Sequence, residues 1–145
     1  MNKIRERALL LLTRRDHSRR ELHQKLQLKG FPPAEISPTL DRLQQDNLLN
    51  EERFITSFIR SRRAKGFGPL KICAELQKHG IDSGCILANE EWQETLWFEA
   101  AIKVRTKRFG ADIPPEKQER LRQARYLQQR GFTADHIRQA LSSKK

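Results

Sequence analysis

The chain has 145 residues, of which 37% are hydrophobic and 32% charged, with a formal net charge of +11. This apolar content suffices for several small cores but is low for one large globule. The positive charge indicates an acidic protein surface or a polyanion as partner. The apolar run Ala8–Leu12 is too short for a signal peptide or a membrane span. Because there are also only two cysteines, we expect a soluble cytoplasmic protein with no membrane contact.

The first module, residues 1–49, is predicted to contain three helices. Apolar residues at helical spacing predict the first over about residues 3–14. Ser18 with Glu21 three residues later is typical of a capping box, which predicts the start of the second helix. Gly30 ends that helix, because glycine adopts the left-handed conformation without strain. A pair of prolines then opens the third helix.

The second module, residues 50–90, contains the motif Arg53–Gly80. Its first helix has one apolar face and ends in a run of cations, where positive charge suits the helix dipole. A Gly-Phe-Gly-Pro turn breaks this helix, and Pro69 begins the next one. A short third helix is predicted over about residues 83–90.

The third module, residues 91–145, is predicted to begin in the acidic run Asn89–Glu91, which suits a helix N-terminus. Its first helix ends near Gly110. A helix from Pro115 to Gln129 and a last helix capped by Thr133 follow.

The three modules repeat one pattern of helix, glycine, bulky apolar residue and further helix. The repeat predicts an all-α fold, an elongated tandem array of three three-helix modules. Structural roles, as caps and hinges, are predicted for nine residues: Asp16, Ser18, Glu21, Gly30, Gly66, Gly68, Pro69, Gly80 and Gly131.

Clustered cations mark a candidate surface for a partner protein or DNA. Arg62 replaces a leucine of the first repeat, so it either snorkels at the helix end or is presented to a partner. Phe67 lies in a glycine-rich turn with little covering and could stack on a base or fill a pocket. The alternative is a solvated helix end. The predicted contact residues are Arg60, Arg62, Arg63, Lys65, Phe67 and Lys71, with Lys103, Arg105, Lys107 and Arg108 as their equivalents in the third module.

Catalytic and metal-binding patterns are missing from the sequence. The four histidines lack the spacing of a metal site, and no activated nucleophile or carboxylate pair is visible. We therefore expect no enzyme activity, no metal and no cofactor. Sequence-specific DNA reading is disfavoured, because the third helices are short and often acidic.

Three motifs resemble the signatures of the bacterial RecX family, the regulators of the RecA recombinase. They are RDHSRREL at Arg15–Leu22, the stretch Arg53–Leu76 with its Ser-Arg pair and KGFGP core, and YLQQRGF at Tyr126–Phe132. The resemblance implies an elongated, curved monomer in the groove of the RecA filament on single-stranded DNA. It also implies inhibition of the RecA ATPase and of strand exchange, net filament loss, and no cofactor.

Two other functions compete with this one. A general nucleic-acid-binding protein would act without RecA, and its affinity would fall steeply with salt. A purely structural scaffold is the third option, against which the density of the cations argues. Filament capping, groove blocking and active disassembly all remain open, as does direct contact with DNA.

Overall fold

The computed structural model describes residues 2–142, and within that range the chain forms nine helices and no strand. The predicted all-α class is confirmed. The last three residues of the predicted third module lie outside the described range. The helices are α1 (Lys3–Arg14), α2 (Arg19–Leu28), α3 (Pro33–Gln45), α4 (Glu51–Ala64), α5 (Pro69–Lys78), α6 (Ser83–Ala88), α7 (Glu94–Phe109), α8 (Lys117–Gln129) and α9 (Ala134–Ala140).

Three separate hydrophobic cores form, as the low apolar content requires. The first lies within α1–α3, the second within α4–α6, and the third within α7–α9. The second core also takes Trp97 from α7, and this indole is fully buried. The second core therefore extends across the predicted boundary at residue 90, and α7 serves two modules.

The helix ends follow the local signals of the sequence. The side chain of Asn50 caps α4, and the hydroxyl of Ser18 accepts a hydrogen bond from the Glu21 N–H at 3.1 Å. The predicted capping box is only half formed, since the Glu21 carboxylate is paired with Arg15 and Lys25. The three repeat glycines have positive φ angles at the ends of α2, α5 and α8.

The junction between α6 and α7 differs from the prediction. The run Asn89–Glu91 was expected to begin a helix, but α6 ends at Ala88 and α7 begins only at Glu94. The Asn89 side-chain amide donates hydrogen bonds to the side chains of Glu52 and Thr56 on α4, each at 3.0 Å. These contacts fix the run as a turn rather than as the start of a helix. Similarly, α8 begins at Lys117 instead of Pro115.

Polar contacts hold the first module against the second. The guanidinium of Arg53 donates to the Asp16 carboxylate at 2.8 Å. The Glu51 carboxylate accepts a hydrogen bond of the same length from the backbone N–H of Arg19. Asp16 therefore connects the two modules.

Candidate partner-binding surface

Two of the predicted contact cations, Arg60 and Arg63, share one internal carboxylate. Their guanidinium groups lie 2.7 and 2.6 Å from the two oxygens of Glu91. Arg63 also donates to the Glu91 carbonyl at 3.2 Å and lies over the ring of Trp97. This ion-pair cluster, consisting of Arg60, Arg63 and Glu91, joins the end of α4 to the turn before α7.

Glu91 is 8% exposed, which is low for a carboxylate. The hydrogen bond from Arg63 lowers the pKa of Glu91, and Arg60 acts in the same direction, while desolvation opposes them. The Glu91 backbone N–H also donates to the Asn89 side chain at 2.9 Å. The charge of Glu91 is therefore compensated from α4 and its position is fixed by the preceding turn.

Arg62 has partners within the second module that the sequence alone did not indicate. Its guanidinium lies 5.1 Å from the centre of the Phe58 ring and 3.1 Å from a carboxylate oxygen of Glu75 on α5. That oxygen has no hydrogen bond, so the contact is an ion pair without hydrogen-bond geometry. Arg62 is half-buried and spans α4 and α5.

Phe67 is covered, contrary to the expectation of an uncovered ring. It packs against the second core, and the guanidinium of Arg130 lies 4.3 Å from its ring centre. The Lys71 ammonium lies 5.7 Å from the same ring. Phe67 can therefore reach a base or a partner's pocket only after one of these cations moves.

The Gly-Phe-Gly-Pro turn forms the contact between the second and third modules. Its Gly68 N–H donates to the Arg130 carbonyl at 2.7 Å, and the Leu70 N–H donates to the Gly131 carbonyl at 2.9 Å. In return, the Arg130 guanidinium donates to the carbonyls of Lys65 and Gly66 at 2.6 and 3.1 Å. We call this contact of residues 65–71 with residues 129–131 the joint.

The cations of the two modules meet at the joint in one continuous row. Arg130 lies over Phe67 and, at 6.0 Å, over Tyr126. Arg108 lies 4.9 Å from the ring centre of the same Tyr126. Lys71 extends the row over Phe67 at the other end. This cation–aromatic row, consisting of Lys71, Phe67, Arg130, Tyr126 and Arg108, connects the two sets of residues that the sequence suggested separately.

Three lysines among the predicted contact residues have free side chains. Lys65, Lys103 and Lys107 are exposed, and within residues 2–142 their ammonium groups make no hydrogen bond or ion pair. Lys71 is exposed but donates to the Gln129 carbonyl at 3.3 Å. The free lysines are the cations most available to a partner.

Arg105 corrects the predicted surface, because it is 2% exposed and lies inside the third module. Its guanidinium donates to the carbonyls of Ala111 and Asp112 at 3.0 and 3.3 Å and to the Gln123 side chain at 3.4 Å. The helical spacing of four cations on α7 did not reveal that one of them faces inward. Arg105 holds the connection between α7 and α8 and cannot contact a partner from this position.

Arg105→Ala is therefore expected to destabilise the protein by about 2–3 kcal/mol, since it removes a buried side chain and the hydrogen bonds that this side chain donates to loop carbonyls and to Gln123. Lys103→Ala, on an exposed position of the same helix, should change the free energy of unfolding by less than about 0.5 kcal/mol. Urea unfolding followed by circular dichroism measures both. Equal effects of the two substitutions would contradict the internal role of Arg105.

Sequence reasoning did not identify Arg130 and Glu91 as central residues. Arg130 precedes the repeat glycine, but Lys29 and His79 precede the glycines of the other two copies, so the repeat gave no signal. Glu91 was interpreted as part of a helical start. Local charge gave no signal either, because Glu91 lies in an acidic run and its two arginine partners lie far earlier in the chain, on α4.

Within residues 2–142, no group of three or more His, Cys, Asp and Glu side chains is placed to hold a metal ion. No helix in this part of the chain is long and apolar enough to cross a membrane.

The fold and the row define a tandem helical-repeat protein with a cationic surface at the joint of two modules. Family models for the first, second and third three-helix domains of RecX match residues 5–43, 50–88 and 94–141. The regulatory protein RecX of Halorhodospira halophila is 46% identical over 97% of this chain and 87% of its own length. That of Xanthomonas campestris is 40% identical over 93% and 83%. This chain belongs to the RecX family of regulatory proteins.

Solved structures agree with this assignment at the level of the fold. The crystal structure of RecX from Lactobacillus salivarius superposes with a TM-score of 0.81 at 23% identity, over 96% of this chain and 92% of that chain. A second crystal structure of a regulatory protein RecX gives a TM-score of 0.79 at 21% identity, over 94% and 70%. The three-module array is therefore the architecture of solved family members.

Proposed function

We propose that this protein binds as a monomer in the groove of the RecA filament on single-stranded DNA. There it inhibits the RecA ATPase and strand exchange and promotes filament disassembly. Membership of the RecX family supports the choice of partner. The cation–aromatic row supports the choice of surface, since it joins the cations of two modules into one face.

The main observation that supports this choice of binding surface is the joint. Reciprocal hydrogen bonds between Lys65–Lys71 and Gln129–Gly131 fix the two modules against each other. A surface of fixed geometry loses less conformational entropy when it binds a regular repeating partner. The proposed contact residues are Arg60, Arg62, Arg63, Lys65, Phe67, Lys71, Lys103, Lys107 and Arg108.

Five of these residues fall into two groups by their own contacts. Lys65, Lys103 and Lys107 are free and suit direct ion pairs with acidic side chains or phosphates. Arg60 and Arg63 are already paired with Glu91, so they shape the surface more than they extend from it. Contacts of the free lysines with a partner are expected to be sensitive to salt.

The second candidate function is direct binding of nucleic acid without RecA, which the free lysines favour. Base stacking, however, needs open aromatic faces. The rings of Phe67 and Tyr126 lie under guanidinium groups. Direct contact with DNA would thus use phosphates, with an affinity that falls by a logarithmic slope of about −0.7 per neutralised phosphate on single strands.

Titration of the DNA-dependent ATPase of RecA, with bare-DNA binding measured in parallel, separates the two functions. We expect inhibition at well below one chain per RecA, at concentrations where little bare DNA is bound. Inhibition only after the DNA is saturated would support competition for the strand and contradict filament regulation.

A pair of charge reversals tests the surface. Lys65→Glu with Lys107→Glu is expected to raise the concentration required for half-inhibition at least about tenfold, because two free cations of the proposed surface, one of them in the joint, become repulsive. The control is Lys29→Glu with Lys78→Glu. Lys29 and Lys65 are both C-caps, and Lys78 and Lys107 both lie in a last helical turn, so the helix-dipole cost is matched.

Both double variants change the net charge equally, and circular dichroism should show equal helicity. An equal loss of inhibition in the two variants would indicate a general effect of charge and remove the joint from the mechanism. Unchanged inhibition by the joint variant would remove it as well.

A further inference from the structure

A groove on the third module remains outside the proposed function. It has a volume of about 730 Å³ and lies between α8, α9 and the first turn of α5. Phe132, Ile137 and Leu121 line it together with Leu70 from the second module. It uses none of the proposed contact residues.

The groove brings together apolar side chains that water would otherwise surround. Leu70 is 59% exposed and Leu121 is 51% exposed, although they belong to different modules. Both belong to the few large hydrophobic residues that are exposed between residues 2 and 142. Paired exposed leucines beside a half-buried isoleucine form an apolar surface that is typical of an interaction site.

Uncompensated cations border this apolar surface. Lys117, Leu121 and Arg125 follow at four-residue intervals, so they share one face of α8. Within the described residues, Lys117 and Arg125 make no hydrogen bond or ion pair. Arg120 and Arg138 also line the groove but are engaged, the first by loop carbonyls and the second by Asp135.

Charge excludes two of the possible occupants. No acidic side chain of the described chain lines the groove, so a second copy of this protein, at +11, would bring like charge to the border. Nucleic acid would satisfy Lys117 and Arg125 but would leave Leu70 and Leu121 uncovered or place them against phosphates. The occupant must carry negative charge and an apolar stripe together.

We propose that this groove binds an acidic amphipathic helix of a partner protein. Apolar residues on one side of that helix pack on Leu70 and Leu121, and flanking carboxylates pair with Lys117 and Arg125. The mode is that of a helix in a groove, with anchors spaced at i, i+3 or i+4 and i+7. The α8 helix has 13 residues and is about 20 Å long, which sets the length of the occupant at a similar number of residues.

The first experiment uses a fluorescein-labelled 16-residue peptide of Leu, Ala and Glu, with the leucines in one helical stripe. Its binding to the full chain is measured by fluorescence anisotropy at 50 and 300 mM salt. A scrambled peptide of the same composition, without the stripe, is the matched probe. We expect the scrambled peptide to bind at least about tenfold more weakly, because it cannot place apolar residues and carboxylates together.

Variants locate the site on the protein. Leu121→Asp and Arg125→Glu should each weaken binding of the striped peptide about tenfold. Leu28→Asp and Arg7→Glu are the controls and should alter it less than about twofold. Leu28 is 86% exposed on α2, and Arg7 has no partner among the described residues, so both changes are tolerated on the surface.

Any of four outcomes would overturn the proposal. In the first, the scrambled peptide binds as well as the striped one. In the second, the groove variants bind the striped peptide like the wild type. In the third, light scattering shows a dimer that Leu121→Asp dissociates, so that the occupant is a second copy of the chain. A labelled dT oligomer provides the last check. If Arg125→Glu weakens binding of this oligomer more than it weakens binding of the striped peptide, the occupant is nucleic acid instead. No measurement includes RecA, so failure here leaves the proposed function standing.

Discussion

Gly131→Ala is expected to lower the free energy of unfolding by about 2–4 kcal/mol and to open the joint between the second and third modules. Gly131 has a φ of +102°, a region that costs an alanine about 1–2 kcal/mol. A Cβ at this position would also lie 2.7 Å from the Lys71 Cβ and 2.8 Å from the Lys71 backbone nitrogen. Overpacking of this kind adds about 1–3 kcal/mol, because backbone cannot move aside as a flexible side chain does.

Gly30→Ala is the matched control for the local part of this cost. Gly30 occupies the same position in the first repeat with a φ of +98°, and a Cβ there would meet nothing within 4 Å. The expected loss is therefore only the conformational cost of about 1–2 kcal/mol. Urea unfolding of the two variants measures the difference. Equal losses would show that Gly131 does no more than end a helix.

Gly68→Ala tests the other part of the cost of Gly131→Ala, which comes from the close approach of the two backbones at the joint. Gly68 has an ordinary φ of −95°, so an alanine there has no backbone strain. Its Cβ would lie 2.5 Å from the Gly131 carbonyl carbon. We expect a loss of about 1–3 kcal/mol, seen as an earlier unfolding transition in tryptophan fluorescence, since both tryptophans contact the second core. A transition at the wild-type urea concentration would contradict a tight joint.

These glycines show what a repeat pattern can and cannot predict. The repeat identified Gly30, Gly80 and Gly131 as helix ends, and their positive φ angles confirm that local role. It did not indicate that Gly131 also allows two backbones to touch. That contact joins residues 64 positions apart, Arg130 and Gly66, and depends on how two modules pack.

The helices were predictable because their signals are local. Apolar spacing placed α1 over about residues 3–14, where the structure has Lys3–Arg14, and Asn50 and Thr133 cap the helices that they were expected to cap. The predicted start of α7 was wrong because of a long-range contact. Local charge favoured a helix from Asn89, but its side chain is bound to α4.

The candidate surface was predictable as a region but not residue by residue. Composition counts cations without showing which of them already have a partner. Arg105 was grouped with Lys103 and Lys107, although it is buried and donates to loop carbonyls, while its two neighbours have no partner among the described residues. When a helix has polar residues on most faces, its sequence has little periodicity from which the direction of a side chain could be predicted. Only the packing of the helix against its neighbours decides that direction.

Glu91→Ala is expected to destabilise the protein by about 2–3 kcal/mol, because Arg60 and Arg63 both lose their carboxylate. Breaking a buried ion pair costs about 3–5 kcal/mol. The Arg63 side chain is only 17% exposed, but the Arg60 side chain is 63% exposed, so the expected effect lies below that range. Glu90→Ala, at the exposed neighbouring position, should cost less than about 0.5 kcal/mol.

The charge of Glu91 also gives the effect a pH dependence. Its folded-state pKa lies below the ordinary glutamate value, chiefly through the hydrogen bond from Arg63. A depressed pKa contributes stability that is fully present above the unfolded-state value of about 4.3 and is lost as the pH falls through the folded-state value. The stability difference between the wild type and Glu91→Gln should thus be constant from pH 7 to 6 and shrink towards pH 3. A difference that stays constant down to pH 3 would mean that the cluster depends on the shape of Glu91 rather than on its charge.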